Sequence, residues 1–207
     1  MAHLGGRPCQ RLTPLPRIVC KLVVERDGGL LGKGLDMTWE PRGIPGDRDF
    51  LMSLSQAMGY LAVNFGLFEF GLNSTIATIH HWVAQPVKDR GQLPYMLKER
   101  LRYVREAASR YSALDPYGDE LREIAVEAKR LSKTRNGVFH GYPADYDALT
   151  HVLTFISMAP DKTDKATHKE SRYSITLETL LADGIAAEAL VKKTSMLCHR
   201  LMNEIAP

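Results

Sequence analysis

From Phe50 to Val83 the chain sets an apolar side chain every three or four residues: Phe50, Leu54, Met58, Leu61, Phe65, Phe68, Leu72, Ile76, Ile79 and Val83. An α-helix returns to the same side about every 3.6 residues, so this spacing predicts one long amphipathic helix. Gly46 and Asp47 start it and Gln85–Pro86 ends it. Joined by mostly short connections to the three further helices expected below, the helix points to an antiparallel bundle. Gly59, Gly66 and Gly71 weaken it, and a close helix–helix approach is expected there.

The other elements fit that frame. A second helix is expected over residues 94–113, with Pro94 in its first turn and a stripe of Leu97, Leu101, Val104, Ala108 and Tyr111. After a turn at Asp115–Gly118, a third helix carries Leu121, Ile124, Ala128, Leu131, Arg135 and Val138 at helical steps. Thr150–Ser157 and Lys169–Ile175 read as strands around a polar loop, a β-hairpin. The last helix runs from Thr176, a suitable N-cap, to Ile205. The expected fold is mainly α: residues 47–207 form an antiparallel four-helix bundle with a β-hairpin between the last two helices. Residues 1–46 form a tail and small β extension, with Arg17–Glu25 and Leu35–Trp39 as its strands.

Composition narrows the function classes. With 207 residues, 44% hydrophobic and 25% charged, the chain can bury a sizeable core. A formal charge of +3 permits contact with nucleic acid without demanding it. No uninterrupted apolar run is long enough for a bilayer, and Met1–Pro8 lacks a secretory core. Cys9, Cys20 and Cys198 are scattered, so a disulfide framework is not expected. These features predict a cytoplasmic protein without a membrane partner.

Chemistry concentrates at the end of the third helix, Lys133–Pro143. Arg135 falls on the apolar stripe, where an unpaired guanidinium is costly; it needs a partner or a cleft. Gly141 suits the left-handed position after a helix and Pro143 forbids continuation, which makes His140 the last helical residue. Five residues separate Arg135 from His140, so on an ideal helix they point roughly 140° apart. Either Gly137 lets the last turn distort, or a second copy across a two-fold axis completes the site. An imidazole can move the proton of a 2′-hydroxyl near neutral pH, and a guanidinium can hold the phosphate. That pairing suits RNA cleavage without a metal or other cofactor.

Arg135–His140 resembles the Arg-x4-His signature of HEPN domains, with a polar residue following the arginine. The resemblance implies a helical bundle that commonly dimerises, and in many members a metal-independent ribonuclease of toxin–antitoxin or anti-phage systems. It implies catalytic roles for Arg135 and His140, oriented by Asn136. Tyr142 completes the Arg-x4-His-x-Tyr form seen in HEPN toxins, whose tyrosine is modified by a partner nucleotidyltransferase. The expected partners are therefore RNA, a second copy, and an antitoxin or nucleotidyltransferase. The alternative is a non-catalytic HEPN-like module that binds a nucleotide or a protein. In a purely structural role, Arg135 pairs with Glu69 across the bundle and His140 caps carbonyls. Glu69 is thus expected to anchor or orient Arg135.

Overall fold

The computed structural model describes residues 48–84, 93–160 and 168–205. The chain divides into two units, Met1–Glu40 and Pro41–Pro207, and the described residues belong to the second. The expected N-terminal strands lie outside them.

Four helices and a small sheet make up this unit: α1 (Arg48–Ile79), α2 (Leu97–Arg110), α3 (Gly118–Phe139), β1 (Tyr142–Asp147), β2 (Val152–Pro160), β3 (His168–Thr176) and α4 (Leu177–Glu204). A π-helical turn, His80–Ala84, extends α1, and a 3-10 turn, Ser112–Tyr117, leads into α3. The stripe of α1 is buried as its spacing requires: Leu54, Leu61, Phe65, Phe68, Leu72, Ile76 and Ile79 sit in one core with Val104, Leu121, Leu131, Leu190 and Leu197. α2 starts later than expected. Pro94 precedes it, and its opening turn is closed by Glu99, whose carboxylate accepts from the Met96 amide at 3.4 Å. α4 begins as the sequence suggests, with the Thr176 hydroxyl accepting from the Thr179 amide at 3.1 Å.

Three features correct the sequence reading. First, the bundle is not antiparallel throughout. α3 and α4 run in opposite directions, since Arg130 and Thr134 meet Asp183 while Glu123 meets Lys193. α1 and α4 run parallel: Tyr60 meets Gly184 and Glu188, and Gly71 meets Thr194. The connection between α1 and α2 is longer than a tight reversal needs, so it does not force the alternating order of short-looped bundles. Second, the hairpin is a three-stranded antiparallel sheet in the order β1-β2-β3. β1 (Tyr-Pro-Ala-Asp-Tyr-Asp) lacks a strand-like run, yet it pairs with β2 through a register shift between Pro143 and Asp145. Proline is tolerated at a strand start or a bulge, and both conditions nearly coincide here. Third, α1 with its π turn, Arg48–Ala84, is long and apolar enough by composition to cross a bilayer. Gln56, Asn64, Glu69 and Asn73 interrupt the run in sequence, which hid that average. In the fold its stripe lies in the core, packed chiefly against α4, while 28% of its most apolar window is buried.

Candidate functional site at the end of α3

The core position near the end of α3 belongs to Thr134, not Arg135. Thr134 and Val138 are buried, while Arg135 is half-buried and Asn136 and His140 are exposed. Thr134 donates to the buried Asp183 carboxylate of α4 at 2.6 Å and accepts from the Tyr173 hydroxyl of β3 at 2.9 Å. Arg130 donates to the other Asp183 oxygen at 2.5 Å and to Glu127. Glu127 first, and Asp183 second, hold the Arg130 proton more firmly than in free arginine. Asp183 is 4% exposed, so its charge is tolerated because both oxygens are occupied.

Gly137 explains itself against the same strand. A side chain there would run into the Tyr173 ring, which lies on the bare helix surface. This glycine therefore marks where the sheet seats on α3, and the helix stays α-helical through Phe139. Gly141 is also a matter of space. Its backbone is outside the left-handed region expected for it; a Cβ there would lie 2.7 Å from the Gly137 carbonyl oxygen and 3.0 Å from the Phe155 Cβ. The chain turns out of the helix at His140, whose ψ of −5° departs from helical values while its amide still donates to the Asn136 carbonyl at 3.1 Å.

That exit brings Arg135 and His140 together within one chain. Arg135 Nη1 lies 3.2 Å from His140 Nε2 and 3.1 Å from Asn136 Oδ1. Neither a distortion at Gly137 nor a second copy is needed; the length of the arginine side chain spans the angular gap. A guanidinium can only donate, so in this contact Nε2 is the unprotonated ring nitrogen. Among the described residues Arg135 has no carboxylate partner.

Glu69 is not part of the cluster. It pairs with Arg100 of α2 at 3.5 Å, and Arg100 also donates to Asn73 Oδ1 at 3.0 Å. The reason is position along α1: the α3 end is level with Asp183 and Gly184, which lie at Tyr60 and Leu61. Glu69 stands about 12 Å further along the helix. Tyr142 opens β1 opposite Ile156 and is 39% exposed. The sequence reading passed over Thr134, Asp183 and Tyr173. Asp183 carried a usable signal, since it interrupts the apolar stripe of α4 next to Leu180 and Ala187.

The chain matches no family model, no curated protein and no solved structure.

Proposed function

We propose that the chain is a metal-independent endoribonuclease of HEPN type acting through Arg135 and His140. The observation that carries this reading is the 3.2 Å approach of an Arg135 nitrogen to His140 Nε2 at an accessible helix end. In the proposed reaction a phosphate of RNA draws the guanidinium onto its non-bridging oxygens, which releases Nε2. The imidazole then takes the 2′-hydroxyl proton. The 2′-oxygen bonds to phosphorus, the bond to the 5′-oxygen breaks, and the imidazolium returns its proton to that leaving oxygen. The products are a 2′,3′-cyclic phosphate and a 5′-hydroxyl. Arg135 offsets the charge that builds on phosphorus, and Asn136 orients it. Tyr142, two residues beyond the histidine, is the position at which a partner nucleotidyltransferase would silence such an enzyme.

The test is cleavage of unstructured RNA by the full chain in EDTA. Wild-type protein is expected to cut, and Arg135→Ala and His140→Ala are each expected to lose about 100-fold or more in rate while keeping the wild-type melting temperature. A wild-type protein that leaves RNA intact, or variants that cut equally well, would reject the reading. The non-catalytic alternative, a module that binds a protein, draws on a separate observation: the uncharged outer surface of α1.

A further inference from the structure

The last residue of α3 offers an aromatic ring to solvent. Leu131, Thr134 and Val138 carry the buried stripe to the end of the helix. Phe139 stands one residue past it and so faces about 100° away from Val138. It is 38% exposed and is not part of the buried core. Phenylalanine is among the residues most often fully buried, yet this one stays partly in water. Its neighbours three and four positions back on the helix are Asn136 and Arg135, both polar, so packing within α3 does not explain it. The spacing to Arg135 places the two on the same side, with their Cβ atoms about 5–6 Å apart. Arg135 reaches along that side to His140 Nε2 at 3.2 Å and to Asn136 Oδ1 at 3.1 Å. The ring therefore borders the cation–imidazole pair, within the reach of one nucleotide from a phosphate held by the guanidinium.

We propose that Phe139 is the base-selecting residue of this site: a nucleobase next to the phosphate held by Arg135 stacks on its ring, a purine in preference to a pyrimidine. The proposal rests on the RNA-cleaving reading for its ligand and adds what that ligand is chosen by. The chemistry divides between two side chains. A guanidinium grips a phosphate whatever the sequence, so Arg135 supplies affinity without a choice of base. An aromatic face meets the flat face of a base, and two fused rings cover more of it than one. Leucine fills a similar volume and is as apolar, but it has no π face to offer. Stacking on a protein ring also requires a base turned out of its own stack, because in a duplex both faces are covered. A strand splayed over this helix end thus has its phosphate on Arg135, its ribose toward His140 and one base on Phe139.

Fluorescence anisotropy of single-stranded deoxyribonucleotide hexamers with the full chain tests it. These probes keep phosphates and bases and lack the 2′-hydroxyl, so they bind without being cut. The expected order of affinity is adenine, then thymine, then an abasic hexamer, with about 10-fold between first and last. Phe139→Leu should bring all three within about twofold of one another, with an unchanged circular dichroism spectrum. Phe139→Trp, with its larger ring, should widen the preference and keeps the test open should the leucine variant misfold. Arg135→Ala should weaken all three alike and keep their order, as expected of a phosphate contact. Equal wild-type affinities for the adenine and abasic hexamers would overturn the proposal, as would no binding of any hexamer or a preference that survives Phe139→Leu. A preference lost in Phe139→Leu, in a chain whose wild type leaves RNA uncut, would sustain the base site and reject the cleavage alone.

Discussion

At the residue scale the end of α3 depends on what is absent from Gly137. The Tyr173 ring occupies the space of a side chain there. Gly137→Ala should therefore destabilise the fold by about 1–3 kcal/mol despite alanine's better helix propensity, because overpacking outweighs propensity at a filled site. Urea denaturation measures it; an unchanged or raised midpoint would show that the ring is not seated on that glycine. Arg135 shows where sequence periodicity reaches its limit. Its position on the stripe was legible and its environment was not. The neighbouring Thr134 takes the interior place, held by Tyr173 and Asp183, which stand 39 and 49 positions later in the chain. No spacing rule within α3 contains those partners. Glu69 failed for a related reason. Its position on the edge of the apolar face suggested a buried ion pair, but the partner depends on which helix crosses at that height, and α2 does.

At the element scale, α4 is tied to α3 by polar contacts at several levels. Asp183→Asn should cost about 1–3 kcal/mol in unfolding free energy, because Arg130 and Thr134 lose the charged acceptor they share. A change below about 0.5 kcal/mol would mean that solvent replaces the carboxylate there. At the other end of α4, the Tyr117 hydroxyl donates to Glu204. That hydrogen bond, followed by burial, holds the phenol's pKa above its ordinary value. The bond is available while Tyr117 is protonated, so its stabilisation is fully present below the unfolded tyrosine pKa of about 10 and is lost as pH climbs through the folded value. The denaturation midpoint of the wild type should fall above pH ~10, and less steeply in Tyr117→Phe. Parallel curves would assign the alkaline loss to other groups. The helices were legible because they are long and periodic. β1 was not, since Pro143 and two aspartates disguise it; its pairing comes from β2, a strand the sequence did reveal.

At the scale of the described unit, four helices with a small sheet between α3 and α4 divide the surface by character. The end of α3 exposes a cation beside an imidazole, and the outer face of α1 exposes an uncharged stripe. The parallel course of α1 and α4 was beyond sequence reasoning, because short-loop logic sets helix directions only where the loops are short.

The Tyr173 seat also has a consequence for the order in which the protein is made. The signature residues Arg135 and His140 emerge well before β3, so a nascent chain carries the motif while its final helical turn still lacks the ring that settles it. The same dependence extends to truncation: a product ending before Lys169 would keep every residue of the signature and lack the strand that fixes its geometry. Whatever this helix end does, it is an ability of the finished chain.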